Sequence, residues 1–202
     1  MPVALPLPSD PAESGAGLPP IHALLDGAAG PVTLQSLRPG ATLAMTHGEA
    51  ARVLWLGRRR MTASRLAAVP ELAPVLIRRG ALGAAGPERD LLLSPEHRVV
   101  YSDRRARAWF GAAELPVAAV QLTFLPGVEQ IAPCDVLYVH AILDRPGAMR
   151  LNGCRIDGAV MRDTAMADPA NPRRQELLRL FPELVTLRGC LSGSALPATA
   201  AG

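Results

Sequence analysis

Proline and glycine interrupt this chain every few residues, with twenty Pro and eighteen Gly among 202 residues. Proline inside a helix removes a hydrogen bond and clashes with the preceding turn, and glycine loses the most backbone freedom on ordering. Long helices are disfavoured, and short strands joined by turns suit this spacing. A hydrophobic fraction of 49% can fill a core, but aromatics are only 3%, so that core has to be built from Val, Leu, Ile and Ala. The length suits one domain better than two.

The apolar runs have strand length. Candidates are Val32-Thr33-Leu34, residues 42–45, 53–57, 75–77, 91–93, 98–101, 135–143 and 150–156, about eight segments at short spacing. Arg38-Pro39-Gly40 and His47-Gly48 are turn signals between them. Asn152-Gly153 is the strongest two-residue hairpin signal, because both positions tolerate positive φ. The pattern predicts a mainly-β domain over residues 21–163.

The two ends read differently. Residues 1–20 are rich in Pro, Gly and Ala and are expected to be a flexible leader. Residues 164–202 form a C-terminal extension. Asn171 can cap a helix with Pro172 at its first position, and Leu177, Leu180, Phe181 and Leu184 give a partly apolar face. One short helix over 171–181 is predicted, packed as an appendage with no part in a site, with a disordered tail after Gly193.

Composition excludes several function classes. Every basic residue is Arg, and the net charge is +3. Arg58-Arg59-Arg60, Arg78-Arg79, Arg104-Arg105 and Arg173-Arg174 suggest a nucleic-acid surface. Against it, 18 acids are interspersed and no aromatic stacking platform accompanies the arginines. Cys134, Cys154 and Cys190 form no CxxC and read as small packing residues. The histidines at 22, 47, 97 and 140 have no zinc spacing, so neither metal nor cofactor is expected. No apolar run reaches membrane-spanning length, and Pro2, Pro6, Pro8 and Pro11 interrupt the start where a signal peptide needs an apolar stretch. A soluble cytoplasmic chain is the default, with non-classical secretion open.

The run most suggestive of chemistry is Leu93-Ser94-Pro95-Glu96-His97-Arg98. A hydroxyl three residues before an imidazole, between two apolar strands, can bring both groups to one loop. The imidazole could polarise or protonate an amide, and the hydroxyl could stabilise developing charge. A plain turn whose histidine caps a strand end accounts for the same residues.

Several blocks together resemble the bacterial Hint (hedgehog/intein) domain. They are Leu37-Arg38-Pro39-Gly40, then residues 53–59, then Ile77 to Leu91, then Leu93 to Val99, and finally Tyr138-Val139-His140, Leu143-Asp144-Arg145 and Asn152-Gly153. The resemblance covers roughly residues 18–160. It implies a horseshoe-like β fold with pseudo-twofold halves and a self-processing chemistry. In that chemistry a Cys at the domain's first residue attacks the preceding carbonyl and turns an amide into a thioester. Carried over, the hydroxyl is Ser94, the activating imidazole is His97 and the late acid is Asp144.

Two departures follow from the same register. The nucleophile's position falls at or near Leu18, and no Cys precedes Cys134. The closing block, which the resemblance expects as Asp-Arg-His, reads Asp144-Arg145-Pro146. Ser14 could in principle perform an N-to-O acyl shift, but it is out of register. His140 alternates with Tyr138 and Ile142 and reads as a sheet residue, His22 has no evident partner, and the hairpin suffices to explain Asn152-Gly153-Cys154.

The expected function is a degenerate self-processing domain, now a scaffold or interaction module with an unidentified protein partner. One alternative is an active autoprocessing protease using a non-Cys nucleophile such as Ser14. Another is an Arg-rich nucleic-acid-binding β domain.

Overall fold

The computed structural model describes residues 2–6, 23–102, 107, 111, 114–160 and 168–186. Fourteen strands among them form one curled sheet. They are β1 (Pro2–Pro6), β2 (Leu24–Gly27), β3 (Gly30–Thr33), β4 (Thr42–Leu43), β5 (Ala51–Met61), β6 (Val75–Ile77) and β7 (Leu91–Leu93). After these come β8 (Arg98–Tyr101), β9 (Leu115–Ala118), β10 (Val128–Gln130), β11 (Val136–Leu143), β12 (Ala148–Leu151), β13 (Cys154–Asp157) and β14 (Ala159–Val160). Among the described residues, the helices α1 (Ala63–Ala68) and α2 (Pro172–Leu180) are added to the sheet.

The strand order is β10-β6-β7-β1-β11-β5-β4-β2-β12-β13-β8-β9, with β3 on β2 and β14 parallel to β11. The eleven-residue β5 joins the two halves. Its start pairs with β4, and most of its length pairs antiparallel with β11. Ile142 faces Trp55 while Leu143 faces Val53, so Leu54 is an extra residue that kinks the pair. The kink lets one strand serve both halves.

Residues 2–6 correct the expectation of a flexible leader. They form β1, between β7 and β11, in full antiparallel register with β11 from Pro2↔His140 to Pro6↔Val136. The two prolines stand at the strand's ends, and Val-Ala-Leu between them alternates across two cores. Val3 and Leu5 enter the core with Leu25, Leu43, Leu91, Val99 and Ile156. Ala4 points the other way, toward Tyr138, Leu92, Leu177 and Phe181. Aliphatic side chains dominate both cores, as the composition requires.

The eight strand candidates all fall on observed strands, whereas β1, β2, β9, β10 and β14 are strands that the candidates do not cover. The Asn152-Gly153 hairpin is present with φ of 49° and 77°, joining β12 to β13. α2 occupies the predicted place, with the Asn171 side chain accepting the Arg173 N–H and Pro172 in the first turn. The C-terminal tail, Leu18, Ser14 and His22 lie outside the described residues.

Candidate functional site

The site begins with β7, whose three leucines are completely buried. The chain leaves this strand at Ser94 and turns, closed by the His97 N–H donating to the Ser94 carbonyl at 3.0 Å. The N–H groups of Ala119 and Val120 donate to the His97 and Pro95 carbonyls and hold the turn from the far side. Ser94 and His97 are thereby brought together, both almost fully buried.

Both address one peptide carbonyl. The Ser94 N–H donates to the Pro2 oxygen at 3.1 Å, and His97 Nδ1 lies 3.0 Å from the same oxygen. A carbonyl only accepts, so the neutral ring carries its proton on Nδ1. Burial holds the His97 pKa well below its ordinary 6.5 and keeps the ring neutral. Two donors on one carbonyl draw electron density from the Pro2–Val3 amide and would stabilise an oxyanion formed there.

Beyond the ring is a small cavity of about 20 Å³, lined by His97, Val3, Leu25, Val139, Ile156 and Asp157 among others. It is large enough for one water. His97 Nε2 is buried without a partner among the described residues. The side chain that follows the polarised carbonyl, Val3, lines the same space and has no nucleophilic atom.

Asp144 is not part of this cluster. It follows β11, where its carboxylate accepts the Arg52 N–H at 2.9 Å and pairs with Arg145. None of its hydrogen bonds or ion pairs among the described residues reaches Ser94 or His97. The acid nearest the site's cavity is Asp157, held by Arg173 at 3.2 Å.

A carboxyl not foreseen from the sequence also reaches the turn. Glu176 of α2 is buried, and its Oε2 accepts the Glu96 N–H at 2.8 Å. The Ser94 hydroxyl lies beside it, close enough to lower its pKa but short of a well-formed hydrogen bond. Burial outweighs these donors and pushes Glu176 up to about 7. The expectation that this helix contributes nothing to a site is therefore corrected. Leu177, Leu180 and Phe181 dock it against β1 and β11, and that docking carries Glu176 inward.

His140 is buried in β11 among the rings of Trp55 and Phe181. The Cys154 thiol is pushed up to about 12 by burial, which makes it unreactive. Many of the clustered arginines pair with acids: Arg59 with Glu183, Arg60 with Asp135, and Arg78 with Asp90 and Glu129. No helix among the described residues is long and apolar enough to cross a membrane.

The family model of the Hint domain matches residues 22–162. The chain belongs to the Hint domain family. β1 and α2, which bring the Pro2 carbonyl and Glu176 to the site, lie outside the residues of the Hint match. Among solved structures, the Hint chain is similar to the MchDnaB-1 intein, at 11% identity and a TM-score of 0.42, covering 67% of this chain and 95% of that one. It is also similar to a bacterial intein-like domain from Clostridium thermocellum, at 12% identity and a TM-score of 0.43, covering 67% and 94%. No curated protein matches the chain.

Proposed function

We propose that this Hint domain is catalytically degenerate: it keeps the carbonyl-polarising half of a self-processing site, has lost the nucleophile, and now serves as a scaffold or interaction module. The observation that carries this reading is the residue after the polarised carbonyl. His97 and the Ser94 N–H converge on Pro2, and the next side chain is that of Val3. A hydrocarbon has no lone pair with which to attack a carbonyl.

The rest of the chemistry supports the same reading. No cysteine precedes Cys134, and Pro146 stands where the closing block's imidazole is expected. Asp144 is engaged with Arg52 and Arg145 instead of the turn. With β1 paired on both sides, the strand that carries the polarised carbonyl is part of the core. Such a strand favours retention over release. The test is the intact mass of the purified protein over time, which should stay at the full-chain value. Two fragments would support the alternative of an active protease with a non-Cys nucleophile such as Ser14.

A further inference from the structure

We propose that Glu176 is a positioning residue, which through the Ser94–His97 turn holds the His97 imidazole against the Pro2 carbonyl. It acts from α2, beyond the residues of the Hint match. The proposal does not depend on whether the site still reacts.

Three observations converge. First, Glu176 is one of the few buried charged side chains among the described residues, and it has no cation as a hydrogen-bond partner. A carboxyl buried this way costs free energy that an apolar residue would not. What it gains is the Glu96 N–H, which lies inside the four-residue turn from Ser94 to His97. Second, the Ser94 hydroxyl, fully buried, stands beside the same carboxyl. The carboxyl therefore addresses the turn at two residues, Ser94 and Glu96, and the backbone of Ser94 also donates to Pro2. Third, α2 grips the site from a second side. Arg173, one helical turn before Glu176 and equally buried, pairs with Asp157, which lines the His97 cavity.

The turn is a lever of two residues between Ser94 and His97. Fixing the Glu96 amide fixes the direction in which the chain enters His97, and with it the angle at which Nδ1–H meets the Pro2 oxygen. Among the described residues, the ionisable groups acting on Glu176 are Glu96 on the turn and Tyr138 on β11.

The experiment is nitrogen-15 NMR of the full chain across pH, observing the Glu96 amide and the His97 ring nitrogens in the wild type and in Glu176→Gln. In the wild type both resonances should follow one titration, with a midpoint near the Glu176 value of about 7. In Glu176→Gln both should lose it. A His97 ring that stays flat while the Glu96 amide titrates would overturn the proposal, since the carboxyl would then only cap a loop. Loss of the Glu96 titration alone in the variant would count the same way. If Glu176→Gln does not fold, Glu96→Gln decides instead: both resonances should keep their shared titration, and its loss would assign it to Glu96 and overturn the proposal.

Discussion

The Nδ1–H of His97 donates to the carbonyl oxygen of Pro2 across 3.0 Å, although the two residues are ninety-five positions apart in the chain. This contact ties the first strand to the turn after β7. It fixes a single tautomer, because a carbonyl cannot donate. His97 should remain neutral with its proton on Nδ1 at about pH 6, half a unit below the ordinary 6.5, because burial lowers its pKa. Ring nitrogen shifts measure this directly: they should stay those of a neutral Nδ1–H ring, perturbed only slightly as Glu176 titrates, and the shifts of a doubly protonated imidazolium at that pH would contradict it.

The hairpin residue Asn152 should matter more to stability than its place in a turn suggests. Its Oδ1 accepts the Leu24 N–H at 2.9 Å, and its Nδ2 donates to the Asp90 carbonyl at 3.1 Å. Asn152→Ala leaves both partners unsatisfied and puts an alanine at φ 49°. A loss of about 2–4 kcal/mol is expected in urea unfolding. Asn152→Gly should recover only the backbone part. A loss below about 1 kcal/mol for the alanine variant would mean that water replaces both bonds.

That hairpin also marks what the sequence makes legible. Asn-Gly, the Ser94-x-x-His97 run and the Asn171-Pro172 helix start are local signals, with causes that act within a few residues. β1 is different. Pro-Val-Ala-Leu-Pro has no pattern that distinguishes a strand from a leader, and only its pairing with β11, more than a hundred residues away, makes it one. Glu176 is hidden for a similar reason. On a short helix it reads as a solvated charge, and the docking of Leu177, Leu180 and Phe181 against the sheet turns it inward.

Glu176 and His97 should oppose each other in stability. The Glu176 pKa rises from 4.5 to about 7, so the fold holds this proton more tightly than the unfolded chain does. Its favourable state is complete below 4.5 and is lost as pH rises through about 7, by about 3 kcal/mol at about 1.4 kcal/mol per pKa unit. The His97 pKa is depressed instead, so its contribution is present above 6.5 and lost as pH falls below that value. Glu176→Gln removes the first slope and leaves the second. Stability of the variant should rise from about pH 5 to about pH 8, and at the upper end it should exceed the wild type. Parallel curves for the two proteins would contradict this.

A nucleophile placed after the polarised carbonyl should react. Val3→Cys puts a thiol next to the Pro2 carbonyl, which it can attack to form a thioester as the Pro2–Val3 amide nitrogen leaves with a proton. Dithiothreitol would then cleave the chain after Pro2. Adding His97→Ala should slow this by about 10²–10⁴-fold. Leu18→Cys, alone or with Pro146→His, tests the other register, with cleavage near residue 17. Reaction of Val3→Cys and not Leu18→Cys places the remnant site at β1, and the reverse result restores the register inferred from the resemblance.

The central claim is that this Hint domain polarises a peptide carbonyl that nothing in the chain attacks. The most direct measurement is an intact-mass time course of the wild-type protein with and without excess dithiothreitol, run beside Val3→Cys. The account predicts an unchanged full-chain mass for the wild type under both conditions, with thiol-dependent loss of the residues preceding position 3 in the variant. Fragmentation of the wild type would contradict it.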